Sequence, residues 1–151
     1  MIGVQSLLRT PDGAFVPVLE ADPGDLDEYY LAGAIDLEIN GTQIIDTEMW
    51  DYVDQLWAYI CTMLQDLRSS GTSRTYFPDQ PIELKFERLP SSLVLVSIEA
   101  GDDIRKVSVD EEELVERLGC AAKEFFQDMN SLLRQDRYSG ELRKIDSILR
   151  Q

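Results

Sequence analysis

The longest uninterrupted helical pattern in the chain runs over residues 46–70. Trp50, Val53, Trp57, Ile60, Cys61, Leu64 and Leu67 recur at three- and four-residue steps and so share one face. Met49, Tyr52, Leu56, Tyr59 and Met63 recur in the same way and make a second stripe beside the first. Together the stripes sweep roughly 200° of the helix, about twice the apolar stripe of an ordinary surface helix. Asp51, Asp54, Gln55, Thr62, Gln65 and Asp66 fill the remainder. A helix this apolar needs cover on two sides: a sheet on one, and a second helix or a partner protein on the other. Asp46 or Thr47 supplies the N-cap, acids in the first turn suit the helix dipole, and residues 69–71 end the element.

Shorter periods flank this helix. Residues 2–8 are an apolar run and read as a first strand. Pro11, Asp12 and Gly13 turn the chain, and residues 14–20 read as a second strand, with Pro17 pointing to an edge or a bulge. Residues 21–30 form an acid-rich loop. Residues 34–39 alternate, with Ile35, Leu37 and Ile39 on one face and Asp36 and Glu38 on the other; Asn40-Gly41 closes a hairpin onto residues 42–45. After the long helix, residues 72–81 are predicted as a loop stiffened by Pro78 and Pro81, with Tyr76 and Phe77 tucked onto the core. Strands follow at 82–87, 93–98 and 104–109; the middle one is the most apolar, and Val107 and Val109 face inward in the last.

Asp110 then caps a second long helix, and Glu113 completes a signature like a capping box. Its stripe includes Leu114, Leu118, Ala122, Phe125 and Met129. Gly119 interrupts it at a cost of about 1 kcal/mol. The small residues at 119–122 leave space for a neighbour, and Trp50 and Trp57 are the predicted occupants. Residues 140–150 make a last short helix. The pattern predicts a single α+β domain over residues 1–151: an antiparallel sheet of about five to seven strands, two long helices packed on one face, and a short C-terminal helix.

At 151 residues and 44% apolar, the chain can bury a core of its own. No run approaches the ~18 apolar residues of a membrane span. The N-terminal apolar run lacks a charged lead and a small-residue cleavage site, so the expectation is a cytoplasmic protein with reduced, buried thiols at Cys61 and Cys120. The net charge of −15 sets nucleic acid and anionic membranes aside as partners. Its distribution is uneven: between Arg9 and Arg68 there are thirteen acids and no Lys or Arg. Residues 134–151, by contrast, hold five basic residues against Asp136, Glu141 and Asp146.

The chain has no histidine, which removes the commonest general base and metal ligand. Two lone cysteines make no zinc site, and no glycine-rich phosphate loop is present. Carboxylate-only catalysis at Asp36 and Glu38 is weighed against ordinary alternation on a solvated strand. A calcium site at Asp22, Asp25, Asp27 and Glu28 is weighed against a solvated loop, because Pro23-Gly24 breaks the EF-hand spacing. In both cases the plain structural reading is the expectation: no enzyme, no cofactor and no metal.

What remains is the acidic half beside the over-wide helix. If the second stripe is not wholly core, Met49, Tyr52, Leu56 and Tyr59, or part of them, lie in or beside a surface ringed by Glu48, Asp51 and Asp54. The loop carrying Asp22, Asp25, Asp27 and Glu28 extends that surface, with Tyr29 and Tyr30 as anchors. Carboxylates around such a centre steer a cationic partner. A small, histidine-free, strongly acidic α+β chain of this kind resembles the immunity proteins that bacteria encode beside their toxins. The resemblance is one of type, covers the whole chain, and carries no residue over. It implies a protein that binds a cognate basic toxin and occludes its active site or substrate path. The alternative is a small acidic secretion-type chaperone, which requires an obligate dimer; the sequence itself leaves monomer and homodimer open.

Overall fold

The computed structural model describes residues 1–150. Hydrophobic alternation builds two antiparallel sheets. The first contains β1 (Ile2–Arg9), β2 (Phe15–Pro17), β3 (Ala32–Ile39), β4 (Thr42–Ile45) and β5 (Asp51–Tyr52). Its order is β2-β1-β3-β4, with β5 paired to the start of β3. The second contains β6 (Thr72–Tyr76), β7 (Ile82–Leu89), β8 (Leu93–Ala100) and β9 (Asp103–Asp110), in chain order. The single sheet expected from the sequence is therefore divided. The ladder stops because the register of β4 on β3 slips at Leu37/Glu38 and the chain then leaves the sheet at Asp46. Side chains close the gap between the sheets. Asn40 donates to the Ser108 carbonyl at 2.9 Å, and Arg105 donates to the Gln43 carbonyl at 3.1 Å and to Asp46 at 3.0 Å.

Three helices cover the inner faces: α1 (Val53–Ser70), α2 (Glu111–Leu133) and α3 (Ser139–Leu149). One continuous core joins Leu8, Ile35 and Leu37 of the first sheet to Leu84, Phe86 and Val96 of the second through Trp57, Phe125 and Phe126. Each such side chain contributes about 1.5–3 kcal/mol on burial. Trp57 has its one polar atom satisfied, the indole N–H donating to the Ser6 hydroxyl at 2.9 Å. The Asp110 cap is present, its carboxylate accepting the Glu113 N–H at 3.0 Å.

Several local expectations are corrected. The helix expected from residue 46 begins at Val53, so Trp50 lies outside it. The second strand ends at Pro17, where a 3-10 turn over Val18–Glu20 begins. Residues 72–76, expected as loop, are strand β6; Phe77 is buried as expected, but Tyr76 stands 64% exposed. Gly119 admits Leu149 of α3 rather than a tryptophan: a Cβ there would lie 2.8 Å from the Leu149 Cδ2. Cys61 is buried, and burial pushes its thiol up to about 12, whereas Cys120 is exposed; both are free thiols.

One polar cluster in the frame was not legible at all. Glu111, 8% exposed, receives Arg88 Nε on one oxygen and Arg68 Nη1 on the other, both at 2.7 Å. Arg88 also donates to the Leu67 carbonyl at 3.0 Å. This cluster ties the end of α1, the end of β7 and the start of α2 together.

Candidate protein-docking surface

The late start of α1 creates the site. The Asp46 carboxylate accepts the Glu48 N–H at 2.9 Å and closes a 3-10 turn over Thr47–Met49. The chain then extends, pairs Asp51 with Gly33 and Tyr52 with Ala32, and bonds Val53 N–H to the Leu31 carbonyl at 2.9 Å. Gly33 permits this approach: a Cβ there would lie 2.3 Å from the Leu7 carbonyl oxygen and 2.8 Å from Val53 Cγ1. Long-range pairing thus overrides the local helical period for seven residues.

Asp51 is consequently not a surface acid. It is 2% exposed, and its carboxylate accepts the N–H groups of Tyr52 at 2.7 Å, Asp79 at 3.1 Å and Gln80 at 2.9 Å. Gln80 returns a side-chain bond to the Trp50 carbonyl. The stiff 77–81 loop is therefore fixed against β5, and Asp79 is brought beside Tyr52.

The loop before β3 supplies the other half. Asp22 accepts the Gly24 N–H at 2.9 Å and opens a 3-10 turn over Pro23–Asp25. Asp27 accepts the N–H of Tyr29 at 2.9 Å and of Tyr30 at 3.3 Å, an Asx-type turn that presents both phenols outward. Tyr29 is 80% and Tyr30 60% exposed. The Tyr30 ring leans on Tyr52, with centroids 5.5 Å apart and planes at 53°. Burial first, then the charge of Asp79, the Tyr30 phenol and the charges of Asp51 and Asp27, push the Tyr52 phenol above its usual range. A concavity of about 240 Å³ opens beside Tyr30, lined by Arg9, Pro11, Asp25, Asp27 and Leu31 among others. Arg9 lies over the Trp50 ring at 4.3 Å and forms no ion pair with these acids among the described residues.

The residues predicted from the sequence fall into three places. Asp22, Asp25, Asp27, Tyr29, Tyr30 and Tyr52 belong to the loop and the Tyr30–Tyr52 pair. Glu48 is exposed but lines a different concavity, with Met49, Pro81, Gly101 and Arg105. Tyr59, 40% exposed, lies two turns further along α1, in a groove shared with Gly140, Glu141 and Lys144 of α3. Three predicted acids are occupied by partners within the fold. Besides Asp51, Glu28 is half-buried and held by Arg137 at 3.9 Å and Gln135 at 3.3 Å. Asp54 is half-buried and accepts the Tyr138 hydroxyl at 3.0 Å. Met49, Leu56 and Met63, at 5%, 1% and 2% exposure, are core, so the second stripe is no apolar platform. Asp79 was missed; its signal was the proline-bounded segment around it.

The charge separation along the sequence is partly folded back on itself, because Arg105 neutralises Asp46 and Arg137 neutralises Glu28. Asp22, Asp25, Asp27 and Asp79 keep no ion pair among the described residues. Asp36 accepts a hydrogen bond from Gln43 and Glu38 is exposed. Among the described residues no group of His, Cys, Asp and Glu side chains is arranged to hold a metal ion, and no helix is long and apolar enough to cross a membrane. No protein-family model, curated protein or solved structure matches the chain.

Proposed function

We propose that this chain is an acidic protein-binding inhibitor, in its most specific form an immunity protein that occludes the active site or substrate path of a cognate basic toxin. The observation that carries the reading is the Tyr30–Tyr52 pair, centroids 5.5 Å apart, standing beside the unpaired carboxylates Asp25, Asp27 and Asp79. Exposed tyrosines give large contact area for few rotatable bonds, and Tyr52 backs Tyr30 so that little side-chain freedom is left to lose on binding. The surrounding carboxylates attract Lys and Arg of a polyanion-binding cleft, raising the encounter rate and repelling acidic partners. Tyr29 and Tyr30 enter the centre of that cleft, and Asp22, Asp25, Asp27 and Asp79 form its charged rim. Asp51, Glu28 and Asp54 act behind the surface by holding it in shape.

The alternative is a small acidic secretion-type chaperone, which requires an obligate dimer and an extended client. The test is a pull-down with the product of the gene adjacent to its own, paired with co-expression in a host. Stable capture and rescue of growth support the proposal; no capture and no rescue refute it.

A further inference from the structure

Among the described residues no element covers the outer face of the second sheet, and its side chains form cross-strand rows of alternating character. The pairings Tyr76↔Glu83, Glu83↔Glu99 and Glu99↔Ile104 set an acidic row with an exposed aromatic at one end and an exposed aliphatic at the other. The next row, Arg74↔Lys85, Lys85↔Ser97 and Ser97↔Lys106, is basic on three of the four strands, with Ser97 between Lys85 and Lys106. Arg74 reaches diagonally to Glu83 at 3.9 Å, which places both rows on one side of the sheet, while Leu84, Phe86, Val96 and Ile98 face the core. Arg74 and Lys85 are like charges directly opposite each other, which is unfavourable for cross-strand neighbours. In a chain of net charge −15, this face is close to balanced: Arg74, Lys85 and Lys106 stand against Glu83, Glu87, Glu99 and Asp110.

We infer that this face binds a second copy of the chain, sheet against sheet, about a two-fold axis running across the strands between the acidic and basic rows. That operation lays each row on the other row of the partner copy. Glu83 meets the partner's Lys85, Tyr76 meets the partner's Arg74 as a cation–π pair, and Ile104 covers the stem of the partner's Lys106. An isologous contact requires such a self-complementary patch, and stacked antiparallel sheets supply the geometry at about 10 Å separation. The nearly balanced face also lets two strongly acidic bodies meet where their mutual repulsion is low. Four strands spaced about 4.8 Å apart, three spanning about 27 Å and β6 about 17 Å, give a face of roughly 450 Å² per copy. That is the size of a weak interface, so the dimer dissociates in the micromolar range. The contact does not use the Tyr30–Tyr52 surface, and it stands or falls separately from the proposed inhibitor role.

Sedimentation velocity at about 0.15 M salt, where the Debye length is ~8 Å, over roughly 1–300 μM protein, tests it. The weight-average mass of the wild type rises from the 17.2 kDa chain mass toward twice that value. Lys85→Glu places Glu against the partner's Glu83 and weakens association by about tenfold or more. The double variant Glu83→Lys/Lys85→Glu exchanges the two charges that face each other across the axis in every copy and restores wild-type association within about threefold. A wild type that stays monomeric throughout, a Lys85→Glu variant that associates like wild type, or a folded double variant that fails to recover would each overturn the inference.

Discussion

Both oxygens of the Asp51 carboxylate accept the backbone N–H of Asp79 at 3.1 Å, although the two residues are 28 positions apart. One buried acid thereby fixes the loop that carries an exposed one. Replacing Asp51 with Ala leaves the Asp79 and Gln80 amides without their acceptor and costs about 2–3 kcal/mol. In urea unfolding the midpoint falls with the slope unchanged. Asn keeps one acceptor and loses less. An alanine variant within about 0.5 kcal/mol of wild type contradicts this role for the carboxylate.

Gly33 is the second fixed point of the same corner. Its substitution by Ala drives a methyl group to 2.3 Å from the Leu7 carbonyl oxygen, which is backbone and cannot rotate away. The expected loss is about 3 kcal/mol, at the upper end of overpacking effects, seen as a lower midpoint in thermal or urea unfolding. Gly3, where an added Cβ meets nothing within 4 Å, is the control and tolerates Ala with a change below about 0.5 kcal/mol.

These two residues also mark where the sequence stops being readable. Periodicity over 46–70 described the face of α1 correctly from Val53 onward, the alternation of 82–87 placed the core face of β7, and the apolar run 93–98 placed β8 inside its sheet. The same periodicity continued through Met49 and Trp50, where tertiary pairing to Gly33 and the Asp51 bonds to residues 79–80 win. Neither partner is local, so no window of neighbouring residues could reveal the change. The acid-rich loop and its tyrosines were visible as composition. Which acids stay free was not, because Arg105 and Arg137 reach Asp46 and Glu28 only in the folded chain.

Glu111 gives a pH-dependent signature. The Arg88 hydrogen bond, with Arg68 in support, holds its carboxyl below the usual glutamate range against the opposing effect of burial. A depressed value means that the stabilisation is complete above the unfolded-state value of about 4.3 and is lost as pH falls through the folded one. Glu111→Gln costs about 3 kcal/mol at neutral pH by leaving the Arg88 contact unpaired. The difference from wild type shrinks below about pH 4. Chemical denaturation of both proteins from pH 7 to pH 3 checks it; a difference independent of pH contradicts it.

Asp54 has the opposite sign. Burial raises its pKa, and the Tyr138 hydroxyl bond only partly offsets that. A raised carboxylate value means that the folded state carries a penalty above that value, relieved as pH falls through it toward the ordinary ~3.9. Asp54→Asn keeps an acceptor for Tyr138 without the charge, so it stays within about 1 kcal/mol of wild type at pH 7. Its stability relative to wild type then declines as the solution is acidified. A relative stability that rises on acidification would show that the buried carboxylate is favoured in its ionised form.

The central claim is that the Tyr30–Tyr52 pair and its neighbouring carboxylates form the docking surface. The most direct measurement is calorimetric titration of the adjacent gene's protein product with wild type, Tyr30→Ala and Asp25→Lys, using circular dichroism to establish that each variant is folded. The account predicts tight binding by wild type, a loss of about 2 kcal/mol or more for Tyr30→Ala, and a weakening for Asp25→Lys that is larger at low salt than at high salt. Full-strength binding by both folded variants would contradict it and move the docking surface elsewhere on the molecule.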